Sequence, residues 1–350
     1  MLGCQFQPLC LSRNVRERPH AATVAGEAFT AFRDTHGRLA VLVDRCPHRG
    51  MRLSRGKVEG GKLTCAYHGW RFDADGCGSS PGNLKLRSRA ETVEAFELSG
   101  VVWVRRGSGG DPLPQLGEAG FHLIHRAFVD IDAPMELVLD NFTEIEHTGI
   151  GHWQFGYEQA RLGEVDFNVH KVPGGADARA VGPQKRLAPL ADFAIGVRRG
   201  DRLTVDIRTR YKPLHVSYTW WWEDAATRAA KGPRFREVAF FARLGARRSR
   251  LVAFYYWTLP DRAWLGRNRL VRALLGRMIA HEIRLDAALC SGVVNGAETL
   301  AGCHLGRFDA MLPLHRRMLC GEPTEEVPSV FLTVGAPSRC QARSGGSRFP

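Results

Sequence analysis

Cys46-Pro47-His48-Arg49-Gly50 and Cys65-Ala66-Tyr67-His68-Gly69-Trp70 are the two segments that decide the fold of this chain. Each segment places a cysteine close to a histidine, and sixteen residues separate His48 from Cys65. Thiolates and imidazoles at such short spacing are typical of metal-binding loops. We therefore predict two metal-ligating loops that face each other across a small β structure.

The spacing inside the first segment favours one kind of metal site. A zinc knuckle usually takes both members of a close pair on one metal, with roughly two to four residues between them. Only Pro47 lies between Cys46 and His48. This spacing better suits a two-iron cluster whose first iron is held by the thiolates of Cys46 and Cys65. The imidazoles of His48 and His68 then hold the second iron, remove negative charge and raise the reduction potential of the cluster.

The composition is that of a folded globular protein. The 350 residues are 44% hydrophobic and 24% charged, and this length allows about two domains. Lys and Arg exceed Asp and Glu by 49 to 36, a net charge of +13. The charge is dispersed without a run of five basic residues, so we predict an acidic redox partner and no nucleic acid. Nine cysteines without a secretion signal argue against a disulfide framework, and Cys77 is expected to be a free thiol.

The N-terminal part reads as short strands and turns. Residues 28–33 and 39–43 flank the turn signal Thr35-His36-Gly37, which predicts a β-hairpin, and further strands are expected at 62–64 and 101–104. The segment 107–114 is rich in Gly and Pro and predicts a linker, with a domain boundary near residue 110. No stretch reaches the roughly 18 apolar residues of a membrane span, and the default prediction is a cytoplasmic protein.

The C-terminal part mixes helices and strands. We predict a helix around 134–148, strands at 202–210, 214–223, 236–243 and 250–259, and a long amphipathic helix from Asp261 to about Val294. After Gly321 the composition drifts towards Pro, Ser, Gly and Arg, as in a disordered tail. The predicted domains are 1–110, 111–321 and the tail 322–350, and the predicted class is α+β.

A second group of metal ligands is expected in the C-terminal part. His147 and His152 are five residues apart, so on an uninterrupted helix their side chains diverge by roughly 140°. Gly149 and Gly151 are expected to break that helix and turn both imidazoles towards one metal. Two histidines and one carboxylate form the facial triad of non-haem iron oxygenases, with coordination positions left open for O2 and substrate.

The long helix offers two candidates for the carboxylate. Glu282 and Asp286 are four residues apart and lie on one helical face, so periodicity does not choose between them.

Together these patterns resemble the Rieske non-haem iron oxygenases over residues 5 to 320. The flanking residues that fit are Pro47, Arg49-Gly50, Gly69-Trp70, Asp75-Gly76 and Pro81-Gly82. The segment Asn141-Phe142-x-Glu144-x-x-His147 is similar to the family's iron-binding helix. The resemblance implies an N-terminal all-β Rieske [2Fe-2S] domain, followed by a catalytic domain of helix-grip type with a large antiparallel sheet and flanking helices.

The resemblance also implies roles for individual residues. Asp286 matches the family's usual aspartate ligand by type and by the Leu289-Cys290 that follows it, and Glu282 remains the alternative. Glu144 matches the position of an acid, usually Asp, that links the Rieske histidine of one subunit to the mononuclear iron of the next. Because the two metal sites of one chain in this family are too far apart for fast transfer, a ring-shaped homotrimer is implied.

The implied function is reductive activation of O2. A separate NAD(P)H-dependent reductase, directly or through a ferredoxin, would supply electrons, because no dinucleotide or flavin motif is found in the chain. The cluster would feed a mononuclear Fe(II) that hydroxylates or oxidatively demethylates an aromatic or polycyclic substrate. The length and the segment His315-Arg316-Arg317 look most like the oxygenases with one type of subunit, such as the vanillate demethylase and aminopyrrolnitrin oxygenases.

Two alternatives stay open at this point. The first is the alpha subunit of a ring cis-dihydroxylating dioxygenase, although such enzymes usually have longer chains. The second is a Rieske electron-transfer protein without oxygenase activity.

Overall fold

A computed structural model of the chain describes residues 3–83, 85–107, 109–185, 196–198, 200–258, 268–294 and 299–321. The strands of the N-terminal part are β1 (Gln7–Leu11), β2 (His20–Val24), β3 (Glu27–Arg33), β4 (Leu39–Val43), β5 (Lys57–Glu59), β6 (Lys62–Thr64), β7 (Arg71–Phe72), β8 (Cys77–Ser79), β9 (Arg87–Arg89), β10 (Glu94–Leu98) and β11 (Val101–Arg105). Short 3-10 turns occupy Ser12–Asn14 and Leu53–Arg55.

The N-terminal part is built from strands alone apart from these turns. Its sheets have the orders β1-β11-β10, β2-β3-β4 and β5-β6-β7-β8-β9. The predicted hairpin is confirmed, because β3 and β4 pair antiparallel from Phe29 opposite Val43 to Arg33 opposite Leu39. The predicted all-β architecture of this part is therefore confirmed.

The described residues of the C-terminal part form one large antiparallel sheet and four helices. Its strands are β12 (His122–Ile131), β13 (Asp166–Val172), β14 (Gly175–Pro183), β15 (Arg202–Tyr211), β16 (Leu214–Glu223), β17 (Ala230–Gly245) and β18 (Arg248–Thr258), in the order β12-β18-β17-β16-β15-β14-β13. The helices are α1 (Met135–Asn141), α2 (Thr148–Gly151), α3 (Arg269–Gly292) and α4 (Leu312–Leu319). Two 3-10 segments lie at Gln159–Glu164 and Arg307–Asp309. The predicted α+β class is confirmed, and no described helix is long and apolar enough to cross a membrane.

The two faces of the large sheet bury different partners. On β17, Phe235, Ala239 and Phe241 join the apolar core that also contains residues of the helices. The alternate residues Val238 and Phe240 face the other way and pack with Trp103 and other residues of the N-terminal part. Because side chains alternate along a strand, the sheet separates a helix-covered side from a side that contacts the N-terminal part.

The long helix α3 crosses the helix-covered side of the sheet. The Asn268 side chain caps its first turn by accepting hydrogen bonds from two backbone N–H groups. Its buried residues lie on one face of the helix and include two acids: Gly276, Ile279, Glu282, Ile283, Asp286 and Cys290. Leu270 and Leu274, two apolar residues of this helix, are 81% and 60% exposed. The buried face contains acids and a glycine, which a pattern of apolar residues does not identify.

The expected helix over 134–148 is wrong, because the chain turns after α1. The hydroxyl of Thr143 bonds to the carbonyls of Leu139 and Asp140, and the carboxylate of Glu144 accepts the N–H groups of the following turn. These local bonds compete with helix continuation. A new turn, α2, then begins at Thr148.

The helix is interrupted between the two histidines, as predicted, because α2 ends at Gly151 and His152 has an extended backbone with φ of −94° and ψ of 148°. Gly149 lies within α2, and Gly151 is its last residue. Of the other predicted segments, residues 261–267 of the long helix and the tail 322–350 lie outside the described residues.

Candidate metal centres and active site

The two Cys-His loops have the same backbone geometry. In each loop the cysteine N–H donates to the carbonyl five residues later, and the N–H of the glycine four residues later donates to the cysteine carbonyl. The bonds are Cys46 to Met51 (2.7 Å), Gly50 to Cys46 (2.9 Å), Cys65 to Trp70 (2.7 Å) and Gly69 to Cys65 (3.1 Å). Gly50 and Gly69 have φ of 74° and 67°, a left-handed conformation that favours glycine. The loops are therefore two copies of one ligand-presenting turn.

The four candidate ligands of these loops lie together. The thiols of Cys46 and Cys65 are both buried and in contact, and burial together with this neighbour raises the pKa of Cys46. The rings of His48 and His68 lie 4.7 Å apart, and Trp70 stacks on His48 at 5.2 Å. The structure thus gathers two thiols on the buried side and two imidazoles on the outer side.

These residues fit a two-iron cluster better than a single ion. Nδ1 of His68 is buried and has no hydrogen-bond partner among the described residues, which suits a nitrogen that binds metal. Among the described residues, one set of three or more donors has all its ligand atoms within 4.8 Å of one another. That set lies in the C-terminal part and not in these loops. The two thiols are neighbours and the two imidazole rings are neighbours, an arrangement that suits a cluster whose two irons divide the ligands.

The compact donor set consists of His147, His152 and Asp286. The two histidines flank α2 as its N-cap and C-cap, and Asp286 comes from α3. Asp286 Oδ1 lies 2.9 Å from His152 Nε2 and 3.4 Å from His147 Nε2. The four-residue turn between the histidines, which ends before the extended backbone of His152, places both imidazoles beside one carboxylate.

Glycine permits the close approach of α2 to α3. A Cβ atom on Gly151 would lie 2.7 Å from Cδ1 of Leu289 on α3. Lys185 also holds α2, because its ammonium group donates to the carbonyls of Thr148 and His152. The donor geometry therefore depends on packing that surrounds the short helix.

Glu144 orients the ring of His147. One of its carboxylate oxygens is hydrogen-bonded to Nδ1 of His147, and the other accepts the N–H groups of Glu146 at 2.5 Å and of His147 at 3.2 Å. A carboxylate on one ring nitrogen fixes the orientation of the imidazole and raises its basicity. This contact leaves Nε2 of His147 turned towards Asp286.

Glu282 has a different place in the structure from Asp286. Its buried carboxylate accepts the N–H groups of Trp153 at 3.1 Å and Gln154 at 2.9 Å, and so holds the backbone that follows His152. It does not belong to the compact donor set. The sequence analysis missed this backbone-holding role, which only the fold reveals because 128 residues separate Glu282 from Gln154.

The electrostatics of the donor set favour a bound cation. Burial by itself lowers the pKa of His147, but hydrogen bonds to Asp286 and Glu144 raise it to about 9. Burial raises the pKa of Asp286, and its bonds to His147 and His152 bring it below its usual value. The His147 imidazole, which holds a proton this strongly between two carboxylates, offers a position where a metal cation can replace that proton. The donor types and their spacing fit a mononuclear iron.

A buried polar network supports the segment that carries these histidines. Nε2 of His315 on α4 lies 2.8 Å from the hydroxyl of Thr143, and Nδ1 lies 2.8 Å from the hydroxyl of Tyr211. The next residue, Arg316, forms a two-bond ion pair with Asp140 at the end of α1. Helix α4 is thus tied to the turn between α1 and α2.

A cavity of about 160 Å³ opens beside the donor set. Most of its wall is apolar and comes from α1, α3 and the sheet. Phe155 and Tyr157, which follow the histidines, line it, whereas Trp153 is 66% exposed and lies outside it. Polar wall residues on the sheet, Tyr218, Glu237 and Tyr255, were not identified from the sequence. The sequence feature that could have indicated this polar wall is Glu237, an acid within the apolar pattern of β17.

Comparison with protein families matches residues 5–89 to the Rieske [2Fe-2S] domain. Protein TIC 55 of Arabidopsis thaliana is 32% identical over 161 residues, which are 42% of this chain and 30% of that protein. The oxygenase subunit of tert-butanol monooxygenase / tert-amyl alcohol desaturase of Aquincola tertiaricarbonis is 39% identical over 111 residues, 29% of this chain and 23% of that subunit. The matched segments thus span less than a third of the length of these relatives.

Solved structures resemble the chain over nearly its whole length. Dicamba monooxygenase bound to dicamba superposes with a TM-score of 0.72 at 16% identity, covering 91% of this chain and 97% of that one. NdmB of Pseudomonas putida CBB5 gives 0.68 at 18% identity, covering 89% and 88%. At this identity the likeness shows the fold. Residues 5–89 therefore match the Rieske [2Fe-2S] domain family, and the described chain as a whole has the fold of dicamba monooxygenase and NdmB.

Proposed function

We propose that this chain is a Rieske oxygenase that hydroxylates or oxidatively demethylates a small organic substrate. The observation that carries the proposal is the position of His147, His152 and Asp286, which form a compact donor set on the wall of a largely apolar cavity. A Rieske protein that only transfers electrons has no need of a second donor set beside a cavity.

The residues of the chain have distinct roles in this proposal. His147, His152 and Asp286 would hold a mononuclear Fe(II), which supplies O2 activation when it is bound. Glu144 keeps the His147 ring oriented, and Glu282 fixes the backbone after His152. The apolar wall excludes water, which protects reactive species from side reactions. Cys46, His48, Cys65 and His68 would hold the [2Fe-2S] cluster that delivers electrons.

A single-oxygen reaction is the version of this function that we favour. Several proteins that match this chain in sequence or fold are named as monooxygenases, including dicamba monooxygenase and the tert-butanol monooxygenase subunit. A 3-chlorobenzoate-3,4-dioxygenase subunit of Comamonas testosteroni is also similar, at 41% identity over 96 residues. Its match supports ring dihydroxylation as the second candidate.

We propose that the active form is a homotrimer in which one subunit delivers electrons to the next. Ile150 and Trp153, beside the donor set, are 78% and 66% exposed, and Tyr67 beside His68 is also exposed. Apolar residues exposed at a functional site favour a covering protein surface. Glu144 would then link the imidazole of His147 to a Rieske histidine of the neighbouring subunit. Light scattering of wild type and of Trp153→Glu tests this, with a trimer expected for the first and a smaller species for the second.

We propose that a separate NAD(P)H-dependent reductase or a ferredoxin supplies the electrons, in the cytoplasm. The net charge of +13 would attract an acidic donor protein, and such attraction weakens as salt screens the charges. The apparent affinity for an acidic ferredoxin should therefore fall with rising salt. An affinity independent of salt would exclude this role for the basic charge.

The oxygenase proposal is tested with labelled O2. The protein is incubated with a generic reductase, NADH, ¹⁸O2 and a panel of aromatic and polycyclic compounds, and the products are analysed by mass spectrometry. One labelled oxygen in a product, or the loss of a methyl group, is the expected result, and Asp286→Ala should form no product. Two labelled oxygens in one product would establish the dihydroxylating alternative. Turnover by Asp286→Ala equal to that of wild type would refute the assigned site.

A further inference from the structure

The sheet wall of the cavity carries a row of three polar side chains. Tyr218 on β16 lies opposite Glu237 on β17, and Glu237 lies opposite Tyr255 on β18. Directly opposite residues of antiparallel strands point to the same face of the sheet. All three side chains line the cavity. Along β17 the neighbours of Glu237 on this face are Phe235 and Ala239, which belong to the apolar core.

The row has one hydrogen bond of its own and one hydroxyl without a partner. The hydroxyl of Tyr255 donates to Oε1 of Glu237 at 2.7 Å. The hydroxyl of Tyr218 is buried and has no hydrogen-bond partner among the described residues. A buried hydroxyl that makes no hydrogen bond is destabilising. Because this hydroxyl is on the cavity wall, a polar group of a bound molecule can supply the missing bond.

The charge of the cavity wall restricts which polar group can enter. The described residues that line the cavity include no Lys or Arg, but they include four acids: Glu144, Glu237, Glu282 and Asp286. An anionic substituent beside the row would be buried next to Glu237 with no Lys or Arg partner among the described lining residues, which is unfavourable. A neutral hydroxyl or carbonyl does not carry this cost.

The protonation of Glu237 agrees with this reading. Burial raises its pKa to about 8, against the lowering effect of the hydrogen bond from Tyr255, and the charge of Asp286 raises it further. Near pH 7 the carboxyl therefore keeps its proton and offers an O–H group beside that of Tyr218. Two neighbouring O–H groups can bind an uncharged oxygen as donors or acceptors.

On the basis of the proposed oxygenase function, we propose that Tyr218 and Glu237 form a recognition subsite for a neutral oxygen substituent, a hydroxyl or carbonyl group, of the substrate. The cavity accordingly selects neutral molecules over carboxylates. Its volume of about 160 Å³ suits a single ring. An engineered protein cavity of roughly 150 Å³ binds benzene. The same row of hydroxyls would orient that ring relative to His147, His152 and Asp286.

Calorimetric titration of the metal-loaded, oxidised protein tests the subsite with three probes of one ring: benzyl alcohol, toluene and benzoate. Benzyl alcohol should bind about tenfold more tightly than benzoate. Tyr218→Phe should weaken benzyl alcohol about fivefold, the effect of one hydrogen bond, and leave toluene unchanged. Since the variant only deletes an unpaired hydroxyl, its Tm should not fall. Tyr256→Phe is the matched control, because Tyr256 points to the opposite face of the sheet, and it should change none of the affinities.

Three results would overturn the subsite: benzoate binding as tightly as benzyl alcohol, equal losses for benzyl alcohol and toluene in Tyr218→Phe, or no binding of any probe. The titration needs neither electrons nor O2, so it is independent of the oxygenase test. Benzyl alcohol selectivity without labelled product from any compound would refute the oxygenase and leave the subsite standing. Labelled product with the opposite selectivity would refute the subsite alone.

Discussion

Asp286 Oδ1 lies 2.9 Å from Nε2 of His152, although 134 residues separate the two in the chain. The sheet strands β13 to β18 lie between them in sequence, so this contact depends on the tertiary fold of the C-terminal part. Helix α3 then delivers the carboxylate to the turn that carries both histidines. This contact brings together two of the three ligands of the candidate metal site.

The first prediction concerns the two Cys-His loops. Cys65→Ser should abolish the visible absorption and the EPR signal of the cluster, because a serine oxygen is a poor replacement for a thiolate ligand of iron. Cys77→Ser is the matched control, since Cys77 is a free, exposed thiol close in sequence. It should retain the full spectrum. An unchanged spectrum in Cys65→Ser would exclude Cys65 as a ligand.

The second prediction concerns the packing of α2 on α3. Gly151→Ala puts a methyl group 2.7 Å from Cδ1 of Leu289, at the far end of a side chain that is 43% exposed. Rotation of Leu289 relieves part of the clash and a small shift of α2 with His152 relieves the rest, so the affinity for the second iron, measured by competition with a chelator, should fall by a few-fold.

The double variant Gly151→Ala/Leu289→Ala controls for this interpretation. Removing the Leu289 side chain relieves the clash, so affinity should return most of the way to that of wild type. Such recovery is the non-additivity expected of residues in contact. If the double variant binds iron as poorly as the single variant, the loss has another origin.

The third prediction concerns the network around His315. Thr143 already donates its hydroxyl hydrogen to a backbone carbonyl, so it accepts from Nε2–H of His315. Nδ1 of His315 must then accept from the hydroxyl of Tyr211. Tyr211→Phe leaves this buried nitrogen unpaired and should lower the free energy of unfolding by about 1–3 kcal/mol. Urea denaturation measures the change, and a loss below about 0.5 kcal/mol would contradict the assigned bond.

The same histidine predicts a dependence of stability on pH. Burial lowers the pKa of His315 to about 3, so the folded protein keeps it neutral while the unfolded chain takes up a proton below pH 6.5. Stability from this group is therefore present above pH 6.5 and is lost as the pH falls. Between pH 7.5 and 5 the advantage of wild type over His315→Gln in unfolding free energy should shrink by about 2 kcal/mol. A difference that stays constant over this range would show that His315 titrates normally.

The two Cys-His loops could be predicted from sequence because each depends only on residues that are close together in the chain. The spacing of Cys46, His48, Cys65 and His68 within 23 residues specifies two short loops, and the structure presents them as two copies of one turn. Four of the seven described strands of the large sheet, β15 to β18, were also predicted within a few residues, except that β17 begins at Ala230 rather than near 236. Alternating β-branched and aromatic residues indicate those four strands. The strands β12, β13 and β14 were not predicted.

The remaining features depend on contacts between distant segments. Glu282 and Asp286 share one helical face, and only the position of α2 shows which one meets the histidines. The row formed by Tyr218, Glu237 and Tyr255 depends on the register of three strands, which no short window of sequence contains. The helix expected over 134–148 ends early because side-chain bonds of Thr143 and Glu144 replace helical ones. Such bonds require the folded turn and leave no periodic signal.

The most direct test of the account counts the irons in the purified protein, by metal analysis together with Mössbauer spectroscopy. We predict three irons per chain in wild type, two in the cluster and one at the second site. Asp286→Ala should keep the cluster spectrum and lose one iron, whereas Glu282→Gln should keep all three irons with a lower Tm, because it weakens bonds to the backbone of Trp153 and Gln154. Three irons in Asp286→Ala, or only two in a fully loaded wild type, would contradict the assignment of a separate iron site to His147, His152 and Asp286.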